Sequence, residues 1–317
     1  MNETIHAEKE KIIDEAAIEK LLSNTEQPSE EYIGDILNKA LELKGLEPEE
    51  TAALLNIETD SQLEKLFHTA LRVKEAIYGN RLVLFAPLYI SNYCANNCLY
   101  CGFRADNKEI ERKTLSLDEI REETKFLLEE GHKRVLMLMG ENHQNCSFDY
   151  FLDAIDAVYE VTDSKGSSIR RINIEIAPLT NEELKRLSKI SIGTYTVFQE
   201  TYHRDTYRKM HPSGKKSDYR WRLEVMDRAL ENGLHDVGIG ALFGLYDYKF
   251  EVLAMIQHAE HLDKKFGVGP HTISIPRIKP AKNTPLTEHI PHQVSDRDFM
   301  KLIAVLRLSV PYTGMIL

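Results

Sequence analysis

"LVLFAPLYISNYCANNCLYCGF", residues 82–103, joins an apolar run to three of the chain's four cysteines, Cys94, Cys98 and Cys101. Residues 82–90 read as a buried strand, and the cysteines fall in the loop that follows it. The same rhythm continues downstream. Short apolar runs recur at 134–140, 171–177, 193–199, 236–244, 271–276 and 312–317. Helical patterns lie between them near 116–131, 147–165, 180–189, 217–232, 249–266 and 295–308. Strand, helix and strand in alternation give a parallel sheet with right-handed crossovers. With seven strands and six intervening helices, a doubly wound sheet is possible, but a TIM-type (β/α)8 barrel fits this α/β pattern better. The final run ends at Leu317 with no helix after it. The last strand and a C-terminal part are therefore expected to be missing from this sequence.

Local signals agree with the helices. Ser116 with Glu119, and Thr180 with Glu183, form capping boxes in which side chains satisfy backbone N–H groups left free at a helix start. Gly131 and Gly233 stand where helices would stop. Ahead of the first strand, apolar residues in 12–22, 32–43 and 61–77 recur at three- and four-residue spacing. This predicts an N-terminal helical extension over 1–80 and a barrel domain over 81–317. No Gly/Ser linker divides them, so the extension should pack on the barrel.

A chain of 317 residues with 42% hydrophobic and 28% charged residues reads as an ordinary soluble globular protein. The net charge of −10 argues against general affinity for nucleic-acid phosphates or anionic membranes. No stretch approaches the roughly 18 apolar residues of a membrane span. The N-terminus, "MNETIHAEKEKIIDEAAIEK", lacks the apolar core of a signal peptide. The expected setting is the cytoplasm, with no nucleic-acid and no membrane partner. In a reducing compartment, clustered cysteines are metal ligands or redox groups rather than disulfides.

In a parallel barrel, active sites gather at the C-terminal face, where the loop of Cys94, Cys98 and Cys101 emerges. Soft thiolates favour zinc or an iron–sulfur cluster. A structural zinc site is usually closed by four ligands. Cys146 and His143, after the second strand, could supply the rest, so a zinc site and a non-catalytic metal-binding or carrier protein stay open. A [4Fe–4S] cluster normally takes four thiolates; with three, one iron is left open. Cys146 otherwise reads as a small buried hydrophobe.

The Cys-x3-Cys-x2-Cys spacing, with aromatic Tyr100 before the last cysteine, resembles the signature of the radical S-adenosylmethionine (SAM) superfamily. The resemblance implies a [4Fe–4S] cluster on Cys94, Cys98 and Cys101. Its open iron would chelate SAM, whose cleavage yields a 5′-deoxyadenosyl radical. It also implies that Gly140 and Glu141 hold the methionine amino group, although Met139 stands where the superfamily commonly has a further glycine. Glu200, past the fourth strand, could hold the ribose hydroxyls through charge-assisted hydrogen bonds; a salt bridge at the loop mouth is the alternative. Arg222 suits the methionine carboxylate because its donor fork matches two oxygens; a solvated helix residue is the alternative.

Longer stretches narrow the resemblance. "APLYISNYCANNCLYCGF", "IGTYTVFQETYHRDTYRKMHP", "FGVGPHTISIPR" and "VPYTGMIL" look like the HydG family, the tyrosine lyases of [FeFe]-hydrogenase maturation. The ThiH-like 2-iminoacetate synthases of thiazole biosynthesis are the next candidates. The resemblance implies that L-tyrosine is cleaved at Cα–Cβ to p-cresol and dehydroglycine. In HydG the latter gives CO and cyanide at a second, auxiliary iron–sulfur cluster, expected only in the missing C-terminal part because nothing after Cys146 is cysteine. It further implies an electron donor of flavodoxin or ferredoxin type and other hydrogenase maturation proteins as partners. His271 looks like the histidine that faces the auxiliary cluster in that family, with a hydrogen-bonded wall residue as the alternative. Arg277, just past the same strand, could pair with a substrate carboxylate or form a structural ion pair.

Overall fold

The computed structural model describes residues 11–286 and 289–317. The first ten residues of the predicted extension lie outside the described residues. Four helices precede the sheet: α1 (Glu15–Asn24), α2 (Glu30–Ala40), α3 (Pro48–Leu55) and α4 (Asp60–Tyr78). Of these, α3 was not legible from periodicity. It spans only two turns and is fixed by Pro48 at its first position and a capping box between Glu47 and Glu50.

Seven strands follow: β1 (Ala86–Ser91), β2 (Arg134–Met139), β3 (Arg171–Glu175), β4 (Tyr195–Thr196), β5 (Val237–Gly240), β6 (Thr272–Ser274) and β7 (Gly314–Ile316). Every neighbouring pair is parallel, and the sheet order is β1 through β7 without reversal. A doubly wound sheet would reverse its order at a switch point. This sequential order is that of a (β/α) barrel sheet. Among the described residues, β1 and β7 are not paired with each other.

The connecting helices are α5 (Leu117–Glu129), α6 (Phe148–Tyr159), α7 (Asn181–Leu187), α8 (Arg204–Met210), α9 (Tyr219–Leu223), α10 (Val225–Glu231), α11 (Tyr248–Phe266) and α12 (Asp296–Ser309). Both predicted capping boxes are present, at α5 and α7. The helix expected over 217–232 is divided at Glu224 (φ −81°, ψ 5°), whose backbone leaves the helical region. The apolar run 82–90 enters the sheet only at Ala86; Leu82, Val83 and Leu84 are exposed.

Alternation along the strands fixes the two faces of the sheet. Leu88, Ile90, Val135, Met137, Ile172 and Ile174 are buried in the core against the helices. The intervening residues face the lumen. One register row crosses all seven strands: Tyr89, Leu138, Glu175, Thr196, Gly238, Thr272 and Gly314. Barrel interiors are usually filled by bulky branched side chains. This row carries two glycines and two threonines, and Tyr89 remains 53% exposed. The glycine of β5 admits its neighbours here, since a Cβ at Gly238 would stand 2.6 Å from the hydroxyls of both Thr196 and Thr272.

Candidate active site

Ser91 ends β1 and shares a 2.8 Å hydrogen bond with Thr114, closing the base of the loop that carries the cysteines. The loop is then bound to the end of β2 and to the end of α8. Gly140 N–H donates to the Ser91 carbonyl at 3.0 Å, and Ala95 N–H donates to the Glu141 carbonyl at 2.8 Å. A side chain at 140 is forbidden, because a Cβ there would stand 2.2 Å from the Tyr93 carbonyl oxygen and 3.2 Å from Cys94 Cβ. Asn96 Nδ2 donates to the Glu141 carboxylate at 2.5 Å. Leu99 N–H donates to the Met210 carbonyl at 3.0 Å, which ties the loop to the end of α8.

All four cysteines are free thiols. Cys98 is buried, 4% exposed, while Cys94 and Cys101 are half-buried. Burial pushes the Cys98 thiol up to about 11 and raises Cys101 as well; the Lys216 ammonium acts in the opposite direction on both. Among the described residues, no three His, Cys, Asp or Glu side chains form a set that could hold a metal ion. A zinc ion would need its donors about 2.3 Å from one point. A cubane takes each thiolate at a different iron, so its donors stand at separate corners. Cys146 is withdrawn from either role, since its thiol donates to the carbonyls of Asn142 (3.1 Å) and Gly140 (3.5 Å). His143 is engaged with Lys215 at 3.1 Å. The donor chemistry fits three corners of a cluster.

Past β4, Glu200 has φ +72°, an uncommon backbone for a residue with a side chain. It is held there by Leu242 N–H, which donates to its carbonyl at 2.8 Å. Its carboxylate meets Lys216 Nζ at 2.6 Å and Arg222 Nη2 at 3.6 Å. Arg222, near the end of α9, is buried, and its Nε donates to the Phe198 carbonyl. Arg220 is exposed and paired with Glu224. The salt-bridge reading of Glu200 is thus realised, but by groups buried at the mouth of the sheet. Tyr100 donates its hydroxyl to His211 Nε2 at 2.7 Å, because His211 Nδ1 donates to the Tyr207 carbonyl at 2.8 Å and leaves Nε2 as the acceptor. Burial, with Lys216 and Arg222 nearby, drives the His211 imidazole down to about 2, so it is neutral. In the lumen, Glu175 is pushed up to about 7 by burial and by Glu200.

The structure therefore brings together Cys94, Cys98, Cys101, Tyr100, Gly140, Glu141, Glu200 and Arg222. His271 and Arg277 stand apart. His271 precedes β6, at the end of the sheet opposite the cysteine loop, and is exposed. Arg277 follows β6, where its guanidinium meets Asp296 at 2.6 Å and lies 4.3 Å from the Phe299 ring centroid. Its contacts are those of the structural ion pair. Sequence reading missed Asn96, His211, Lys216 and Glu175. A charge tally at the mouth was the available signal, since three thiolates and two carboxylates call for more cations than Arg222.

The family model of the radical SAM superfamily matches residues 88–259, more than half of the chain. The chain belongs to the radical SAM superfamily. Membership implies a [4Fe–4S] cluster and SAM. Residues 274–317 match the Biotin and Thiamin Synthesis associated domain. This radical SAM chain is similar to a crystal structure of HydG, described as a maturase of the [FeFe]-hydrogenase, at 52% identity and TM-score 0.93, covering 96% of this chain and 67% of that one. It is similar to the HydG of Carboxydothermus hydrogenoformans at 45% identity and TM-score 0.85, covering 95% and 68%. The 2-iminoacetate synthase of Escherichia coli (strain K12) is 32% identical over 276 residues, 87% of this radical SAM chain and 70% of that enzyme. No helix among the described residues is long and apolar enough to cross a membrane.

Proposed function

We propose that the chain is a radical SAM tyrosine lyase, breaking the Cα–Cβ bond of L-tyrosine to give p-cresol and dehydroglycine. The observation that carries this is the convergence of the three-cysteine loop, Gly140–Glu141, Glu200 and Arg222 on one mouth of the barrel sheet, in a chain 52% identical to HydG. When bound, the cluster and SAM supply a 5′-deoxyadenosyl radical. The chain's own residues bind and orient. Cys94, Cys98 and Cys101 hold the cluster, and the Tyr100 ring, fixed by His211, forms a wall beside it. Gly140 and Glu141 receive the methionine amino group. Glu200 receives the ribose, and Arg222 the methionine carboxylate. The lumen-facing row below carries Tyr89, Glu175, Thr196 and Thr272, whose polar groups suit an amino acid.

Both HydG-type and ThiH-type enzymes begin with this cleavage. The higher likeness to HydG favours the first, in which dehydroglycine goes on to CO and cyanide for hydrogenase assembly at an auxiliary cluster. His271, at the far end of the lumen, suits a ligand to that second cluster. A flavodoxin- or ferredoxin-type donor would reduce the first, and other maturation proteins would take the product. Four free thiols suit the cytoplasm.

The test is anaerobic reconstitution followed by mass spectrometry with tyrosine, SAM and a strong reductant. Wild-type protein should yield p-cresol and 5′-deoxyadenosine, and Cys98→Ala neither. Deoxyadenosine without p-cresol would remove tyrosine as the substrate. Neither product, from protein carrying iron and sulfide, would favour the non-catalytic metal-binding reading.

A further inference from the structure

We propose that Lys216 sets the charge balance of the cysteine loop and thereby the reduction potential of the cluster held there. The inference rests on the cluster half of the function proposed above, and not on tyrosine as substrate. It begins with how firmly this lysine is held. Residues 214–217 form the turn between α8 and α9. Lys216 N–H donates to Asn96 Oδ1 at 3.0 Å, and its carbonyl accepts from the Tyr207 hydroxyl at 2.5 Å. Asn97 N–H donates to the Ser213 carbonyl at 3.3 Å. Gly214 (φ +90°) presses so close that a Cβ would stand 2.2 Å from Asn96 Oδ1 and 2.8 Å from Asn96 Cα. The turn is therefore docked on the cysteine loop through Asn96, the same residue that holds Glu141.

The side chain follows from that anchor. Nζ meets Glu200 at 2.6 Å and lies 5.7 Å from the Tyr100 ring centroid, with the two charged side chains 14% and 10% exposed. A pair on the surface would be screened and worth little. Here the ammonium is largely shielded from water, and the groups that feel it are Cys98, Cys101, Glu175 and Glu200. Lys216 is also the cation that acts on both Cys98 and Cys101. Arg222, the other cation facing Glu200, is committed to that carboxylate and to the Phe198 carbonyl.

Reduction adds one negative charge at the cluster, and a fixed cation on the turn docked against the cysteine loop stabilises the reduced form through a poorly screened Coulomb term. Net charge and hydrogen bonding around a cluster are what set its potential. Lys216 is thus a positioning residue with an electrostatic output. Removing it should make the cluster harder to reduce, while removing the opposing carboxylate of Glu200 should make it easier.

The experiment is a potentiometric titration followed by electron paramagnetic resonance on anaerobically reconstituted full chain, without SAM or tyrosine. Lys216→Met should disfavour the reduced form about tenfold, about 59 mV for a one-electron couple. Lys216→Arg should stay close to wild type, and Glu200→Gln should shift the potential upward. An unchanged potential in Lys216→Met with full iron content would overturn the proposal, as would shifts of the same sign in Lys216→Met and Glu200→Gln. If Lys216→Met assembles no cluster, Glu200→Gln decides, and an unchanged or lower potential there rejects the idea. Failure of tyrosine cleavage leaves this measurement intact, because neither tyrosine nor its products enter it.

Discussion

Gly140 controls how closely the cysteine loop approaches the end of β2. The Tyr93 carbonyl occupies the space of a Cβ at 2.2 Å, and it belongs to backbone that cannot swing aside. Gly140→Ala must displace the loop next to Cys94, a strain of about 1–3 kcal/mol by analogy with overpacked cores. We expect a folded protein with native circular dichroism that retains less than half the wild-type iron and sulfide after reconstitution. Full retention would show that the loop tolerates the shift. The glycine was legible as a strand-end Gly-Glu, whereas its steric reason was not, because Tyr93 reaches it only through the fold. The same division runs through the site. The cysteines and Glu200 announce themselves by chemistry at strand ends, and Arg222 by its place in the helix between β4 and β5. Lys216, His211 and Asn96 acquire their roles from contacts between loops far apart in sequence, such as Lys216 N–H with Asn96. His271 could be assigned to a strand but not to an end of it, since a run of six residues does not say where its ladder begins.

At the scale of the element, α11 braces the segment that follows β4. Glu251, fully buried on its first turn, accepts from Tyr202 N–H at 2.8 Å and from the Thr201 hydroxyl. It thereby fixes the two residues after Glu200, whose positive φ needs support from its neighbours. Burial raises the Glu251 carboxyl from 4.5 to about 8 despite those hydrogen bonds. The folded state therefore keeps a proton that the unfolded chain releases above pH 4.5. The stabilisation is complete below that pH and is lost as pH rises through about 8. Its slope is at most about 1.4 kcal/mol per pH unit. Glu251→Gln, which keeps the shape without the titration, should flatten the pH dependence of denaturant stability between pH 5 and 8 relative to wild type. Identical slopes would mean that the carboxyl is already ionised in the fold. Sequence periodicity found α11 within a residue at its start, but the burial of an acid on its inner face breaks the pattern by which helices are read. α8 escaped for another reason: seven residues before His211 and Pro212 are too few to show a period.

The whole molecule shares one principal core. It runs from Ile13 and Ile18 in the N-terminal segment through the strands to Leu306 and Leu308 in α12. Polar contacts cross the same boundary. Thr51 and Ser309 share a buried hydrogen bond of 2.9 Å, Lys301 Nζ donates to the Ile57 carbonyl at 3.0 Å, and Lys249 Nζ donates to Asn56 at 2.6 Å. The helices ahead of the sheet are therefore built into the outer layer of the barrel, on α11 and α12, and separating them would expose the inner faces of both. A chain whose core is shared in this way should unfold in one step. The single tryptophan, Trp221, stands in α9 beside the site with Arg228 3.7 Å from its ring centroid, so its fluorescence reports the mouth of the barrel. Far-UV circular dichroism reports all twelve α-helices among the described residues, including the four N-terminal ones. The two denaturant curves should superimpose on a common midpoint and a common slope. A circular-dichroism transition preceding the fluorescence one would mean that α1–α4 detach while the site holds, and that residues 1–80 are a separable extension rather than part of the barrel wall.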